Sequence, residues 1–238
     1  MRLGKPDDRT RRASAPALGF TQVISTAWRF IFLHVPKTGG NSMQLLLSPH
    51  SDDELVGKRA RDGTTRFGVR GPKTPEKHAT LQDYADRMGG VEEWRVALTA
   101  RDPLSRAVSY YFSPHRWNKP GSARRGAPVW DRKTFRVLIA QMTTLSEFVT
   151  VDGQVRRPDH LIRQERLAED FAAFAGAVGL PLDASSLPKV NGSAATPDLH
   201  QEALQDPVAQ EMVRSRFAAD YDLLEAWTPG PRLVQAFA

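Results

Sequence analysis

The run Phe30-Ile31-Phe32-Leu33-His34-Val35 is short and almost wholly apolar, and it stops at Pro36. A run of that length without polar alternation reads as a strand buried on both faces, inside a sheet covered by helices. Gly39 and Gly40 follow, and then a helical stretch from Ser42 to Leu47. Trp94 to Ala100 is a second such strand, and Asp159 to Gln164 reads as a third. Helical patterns lie between and after them. Thr80, with Asp83 three residues on, opens a helix to about Met88, which Gly89-Gly90 closes. Asp102 caps another, and Pro103 suits its first turn. On that helix Leu104, Val108, Tyr111 and Phe112 share an apolar face, while Ser105, Arg106 and Ser109 fall on the other. Helical segments follow from Thr134 to about Thr150, from Leu167 to Val178, and from Pro207 to Leu224; Leu180 to Asp206 reads as loop. Strands alternating with helices predict an α/β fold, a single domain with a mainly parallel β-sheet flanked by helices.

A chain of 238 residues fits one domain. Residues 1–28 read as a flexible basic tail, because Arg2, Lys5, Arg9, Arg11 and Arg12 outnumber Asp7 and Asp8 beside Pro6 and Pro16. The domain is expected over 29–230, with a C-terminal tail at 231–238. No apolar run approaches the length of a membrane span, and no apolar segment of a secretory signal follows the basic N-terminus. There is no cysteine, which excludes disulfides, thiolate catalysis and Cys-ligated zinc and fits a cytoplasmic location. The net charge of +6 suits an anionic ligand without choosing among nucleotide, acidic glycan and nucleic acid. Two polar stretches, Ser48 to Glu76 and the basic Ser113 to Arg132 with Trp117 and Trp130, are expected to shape a cleft.

The turn after the first strand carries the chemistry. In Pro36-Lys37-Thr38-Gly39-Gly40-Asn41-Ser42 a buried strand delivers the chain to a glycine turn, and a helix starts at once. N–H groups of such a turn and helix N-terminus hold anions, and the glycines let phosphate oxygens approach. Thr38 and Ser42 add hydroxyl donors, and Lys37 adds a mobile positive charge. The Walker pattern places its lysine after the glycines; here Lys37 precedes them. A second motif ends the second strand: Arg101-Asp102-Pro103-Leu104-Ser105-Arg106-Ala107-Val108-Ser109-Tyr110-Tyr111. Ligands of α/β sheets sit beyond the carboxyl ends of strands, where Arg101 is expected. An arginine fork and the Ser109 hydroxyl can jointly hold one phosphate.

Residues 36–42 resemble the 5'-phosphosulfate loop of sulfotransferases, in particular the Golgi-type carbohydrate sulfotransferases and their bacterial relatives. Residues 101–111 resemble that family's 3'-phosphate segment, with Asp102 where the family usually has Asn. Weaker similarity follows in Asp159 to Leu167, Asp170-Phe171, Gly179-Leu180, Leu187 to Asn191 and Asp220-Tyr221, where fold maintenance is the simpler reading. The resemblance implies a sulfotransferase architecture like that of P-loop nucleotide-binding folds. It implies 3'-phosphoadenosine 5'-phosphosulfate as donor, adenosine 3',5'-bisphosphate as product, and no metal. Lys37, Thr38, Gly39, Gly40, Asn41 and Ser42 would hold the 5' end, and Arg101 and Ser109 the 3'-phosphate. The acceptor would be a hydroxyl, with a saccharide first among the possibilities and no role for nucleic acid. Lys37 would also act in catalysis.

A base for the hydroxyl should be a histidine near neutral pH. His34 lies inside the strand, and His50, His160 and His200 have no motif around them. His78, in Lys77-His78-Ala79-Thr80, stands where family members carry a similar element with a candidate base, and His115 is the alternative. Two other classes remain open in the sequence: a nucleotide-dependent kinase or ATPase, and a non-enzymatic nucleic-acid binder.

Overall fold

The computed structural model describes residues 23–52, 55–56, 59–60, 67–71, 78–117, 127–182, 187 and 193–227. The elements run β1 (Val23–Ser25), β2 (Phe30–Leu33), α1 (Gly40–Leu47), β3 (Leu55–Val56), β4 (Arg59–Ala60), α2 (Leu81–Met88), β5 (Arg95–Ala100) and α3 (Pro103–Tyr111). Then come α4 (Pro114–Trp117), α5 (Arg132–Ala140), α6 (Leu145–Phe148), β6 (Thr150–Val151), β7 (Gln154–Val155), β8 (His160–Arg163), α7 (Leu167–Val178), α8 (Pro197–Gln205), α9 (Pro207–Arg216) and α10 (Ala218–Glu225).

The central sheet has the order β1-β2-β5-β8. β2 pairs with β5 and β5 with β8 in parallel, while β1 folds back antiparallel on β2. The expected class, α/β with a mainly parallel sheet flanked by helices, is what the chain adopts. The continuous apolar run of β2 feeds two cores. Phe30 and Phe32 join Ala97, Ile162, Met43, Leu47, Phe171 and Phe174 on the face covered by α1 and α7. Ile31 and Leu33 join Val96, Leu98, Leu161, Leu81, Tyr84, Leu145 and Phe148 on the face covered by α2 and α6. Successive strand residues point to opposite faces, so a strand covered on both sides must be apolar at every position. A third cluster is helical, with Val108, Tyr111, Phe112, Trp117, Phe135, Ala203, Val213 and Phe217 from α3, α4, α5, α8, α9 and the turn after α9.

Two boundaries differ from expectation. The sheet begins at Val23, not near Trp28, because β1 pairs Val23, Ile24 and Ser25 with Phe32, Ile31 and Phe30 and is fully buried. Val23 to Ser25, expected within the tail, thus belong to the sheet, and residues 1–22 and 228–238 lie outside the described residues. The stretch Leu180 to Asp206 is not all loop. Thr196 accepts from the Leu199 N–H, Pro197 opens the helix, and α8 runs to Gln205. The helix after Pro207 is two helices, broken at Phe217.

Candidate functional site

The parallel register puts the two motifs side by side. Leu33 of β2 lies opposite Leu98 of β5, and Ala100 opposite Arg163 of β8. The chain leaving β2 and the chain leaving β5 thus emerge at one edge of the sheet, at the same level. Thr99 binds them together. Its Oγ1 accepts the Val35 N–H at 3.1 Å and lies 2.6 Å from Thr38 Oγ1, which donates to the Val35 carbonyl at 2.7 Å. Thr38 is fully buried, and its hydroxyl faces inward and fastens the turn. This corrects the expectation of a hydroxyl donor at Thr38.

Lys37 and Gly39 are both left-handed, at φ 70° and 84°. Turns of this kind followed by a helix make anion-binding concavities from successive N–H groups. For lysine the conformation costs about 1–2 kcal/mol. Gly39 caps α1 without a side-chain hydrogen bond, and no acidic residue stands in the first turn. Gly40 is required by close approach: a Cβ there would lie 2.2 Å from His34 Cδ2. Asn41 and Ser42 form the first turn of α1, Ser42 buried and Asn41 half-buried.

Arg101 leaves the end of β5 with Nη1 3.5 Å from the Lys37 carbonyl, so its guanidinium abuts the turn. Burial lowers its pKa, opposed by Glu165 and Asp102. Its Nε is buried and has no hydrogen-bond partner among the described residues. Asp102 is occupied as the cap of α3, its Oδ1 accepting the Ser105 N–H at 2.7 Å. Ser109 is half-buried two turns along α3. Beside Arg101 a cleft of about 390 Å³ opens, walled by Arg163, Tyr221 and Leu224 and by three acidic residues, Asp102, Glu165 and Glu225. Arg163 gives Nε and Nη2 to the two oxygens of Asp170 at 2.8 and 2.9 Å, a bidentate pair that fixes its fork.

His78 lies at the same edge. Its Nδ1 is 2.8 Å from the His34 carbonyl, and its ring meets the His34 ring edge-on with centroids 4.6 Å apart. A carbonyl only accepts, so Nδ1 carries the proton, and the neutral ring keeps its lone pair on Nε2. His34 is held in turn by Gln44 of α1, 2.9 Å from its Nδ1. The strand, the helix and the histidine are therefore locked together beneath the glycine turn. His115 is exposed on α4, beyond the far end of α3 and roughly 13 Å along that helix from its start.

Compared with protein-family models, curated proteins and solved structures, the chain gives no match.

Three residues behave differently from the sequence reading. Arg106, assigned to the polar face of α3, is 1% exposed. Its Nε donates to the Pro36 carbonyl at 3.2 Å and its Nη2 to the Thr143 carbonyl at 2.6 Å, with Asp220 3.7 Å from Nη1. It supports the turn from below. Trp117 and Trp130, offered as stacking platforms, belong to the helical core. Trp117 Nε1 donates to the Tyr111 carbonyl and Trp130 Nε1 to Asp206. The rest of that basic stretch, 118–126, lies outside the described residues, as do 53–54, 57–58, 61–66 and 72–77 of the excursion before His78.

Proposed function

We propose that this protein is a sulfotransferase that moves a sulfuryl group from 3'-phosphoadenosine 5'-phosphosulfate to an acceptor hydroxyl, a saccharide first among the candidates. The observation that carries the reading is the placing of Arg101 against the Lys37 turn, 3.5 Å from the Lys37 carbonyl, on the neighbouring parallel strand. One nucleotide with phosphate at both the 5' and 3' positions has reason to span such a pair. The residues fit that donor: no acidic side chain stands in the first turn of α1, and the buried Arg101 Nε has no hydrogen-bond partner among the described residues. The architecture is accordingly read as that of the P-loop-like sulfotransferases, in a cytoplasmic setting.

When bound, the donor supplies the sulfuryl group and a leaving phosphate. Lys37 and the N–H groups of the turn and of α1 meet the negative charge there, which needs no reorganisation at the moment of transfer. Arg101 and Ser109 hold the ribose phosphate and so fix the donor's direction. His78 accepts the acceptor's proton at Nε2, as the acceptor oxygen bonds to sulfur and the sulfur–phosphate oxygen bond breaks. Its proton on Nδ1 stays with the His34 carbonyl throughout. Transfer of this kind is mostly positioning and electrostatics.

The test is thermal unfolding with ligands and transfer from labelled donor. Adenosine 3',5'-bisphosphate at a hundredfold excess over its dissociation constant should stabilise by about 2.7 kcal/mol. ATP at equal concentration should stabilise less. Equal stabilisation by both, or magnesium-dependent ATP hydrolysis without sulfuryl transfer, would overturn the reading.

A further inference from the structure

Two buried polar side chains lie beneath the glycine turn, Gln44 on α1 and the His34 imidazole just past β2. The His34 ring follows Phe32, 6.5 Å away, onto the face that α1 covers. Gly40 and Gln44 are four residues apart, so they share one side of α1, and both meet that ring. Gly40 touches it so closely that a Cβ would clash, and Gln44 Oε1 lies 2.9 Å from its Nδ1. The amide oxygen only accepts, so His34 Nδ1 carries the proton. The same ring meets His78 edge-on, with centroids 4.6 Å apart and planes at 67°. His78 is thus held twice by one residue. The His34 carbonyl, 2.8 Å from His78 Nδ1, fixes which nitrogen is protonated. One hydrogen bond still lets a ring swing about it, and the His34 imidazole stands against that swing.

We propose that Gln44 and the His34 imidazole are positioning residues that aim His78 Nε2 at the acceptor hydroxyl. The proposal rests on the donor reading above, with His78 as base, and adds two residues to it. Both side chains are buried, so they act through His78 and not on a substrate. The arrangement ties the base to the helix that carries the proposed phosphate turn: α1 grips the His34 ring through Gly40 and Gln44, and the ring sets the plane of His78. Without the Gln44 oxygen, the His34 Nδ1–H loses this acceptor in a buried place and the ring turns toward another. His78 then keeps its bond to the carbonyl and loses its wall.

Gln44→Leu removes the acceptor at nearly constant volume, and Gln44→Glu keeps an oxygen in the same place. Three measurements on the full chain separate the outcomes: calorimetry with adenosine 3',5'-bisphosphate, transfer from labelled donor to a panel of desulfated glycosaminoglycans, and the nuclear Overhauser effect between the His34 and His78 ring protons. The wild type should show that effect. Gln44→Leu should lose it, keep bisphosphate affinity, and lower turnover roughly tenfold or more, because misplacing a reacting group by about 1 Å costs about 10²-fold. Gln44→Glu should keep the effect and recover most of the turnover. If Gln44→Leu turns over like the wild type, or keeps the ring contact, the inference fails and the donor reading stands. If affinity and turnover fall alike, Gln44 only supports α1, and the inference fails in the same way. A wild type that binds no bisphosphate, or binds it and transfers nothing, overturns the donor reading and this inference with it.

Discussion

Lys37 and His78 enter the proposed reaction at different moments, so their replacements should fail differently. Lys37 meets the donor's charge before and during transfer. Lys37→Ala should lower turnover strongly and donor affinity to a lesser degree. His78 meets only the acceptor. His78→Asn keeps an N–H for the His34 carbonyl and lacks the Nε2 lone pair, so donor affinity should hold while turnover falls roughly 10²–10⁴-fold. The acidic limb of the rate–pH profile should vanish with it; near-normal turnover would move the role to His115. Lys37 also stands at φ 70°, a conformation in which glycine is unstrained. Lys37→Gly should therefore be about 1 kcal/mol more stable than Lys37→Ala in denaturant unfolding, with both inactive. What the sequence revealed at this scale was local. Lys37, Gly39, Gly40 and Arg101 follow from a strand end and the next few residues. Thr38 was misjudged because its partner, Thr99, comes from another strand. Arg106 was misplaced because its surroundings, Pro36, Thr143 and Asp220, come from chain positions far away.

At the scale of elements, α1 and β2 are joined by a contact that leaves no room for a methyl group. Gly40→Ala forces a Cβ to 2.2 Å from the His34 ring and should cost about 1–3 kcal/mol. In the double variant with His34→Ala the clash has no partner, so the two changes should cost less together than their sum in chemical denaturation. Additive costs would mean that the Gly40 effect is one of backbone alone. α9 offers a pH test. Asp206 is 6% exposed and caps the helix through the Val208 and Ala209 N–H groups. Burial pushes its pKa up, but Arg132, Trp130 and the two backbone donors outweigh it and hold the carboxyl at about 2. A depressed carboxyl stabilises the fold above its unfolded value of about 3.9, and that stability drains away as pH falls toward 2. Asp206→Ala should lose about 1 kcal/mol at neutral pH for the cap and show a flatter stability curve between pH 4 and 2. The element pattern explains what was legible. α2 carries a full capping box, Thr80 with Asp83, and β2 is apolar throughout, so both stood out. α8 buries only Ala203 fully, because α3 and α9 cover it along a narrow stripe, and its signal was lost in a polar stretch.

The whole molecule is drawn together by a buried ion pair that joins its beginning, middle and end. Arg106 reaches the Pro36 carbonyl below the proposed phosphate turn and the Thr143 carbonyl before α6. Asp220, on α10, accepts the Leu145 and Ser146 N–H groups at the start of α6 and faces Arg106 at 3.7 Å. Burial dominates both members. It lowers Arg106 to about 10 and raises the Asp220 pKa, so neither charge is comfortable without the other. Such a pair adds little net stability over apolar residues, but removing one member leaves the other charged and unpaired, which costs about 3–5 kcal/mol. Asp220→Ala should therefore lower the midpoint of thermal unfolding by about 10 °C for a chain of this size. The loss should not stay at α10. With Arg106 unanchored, the Pro36 carbonyl loses its fixed donor, and the affinity for adenosine 3',5'-bisphosphate should fall in the fraction of protein that is still folded at low temperature. Hydrogen exchange at 36–42 should quicken in the same variant. A variant that loses stability but keeps full bisphosphate affinity and an unchanged exchange pattern at the turn would show that the pair holds the helices together without shaping the site.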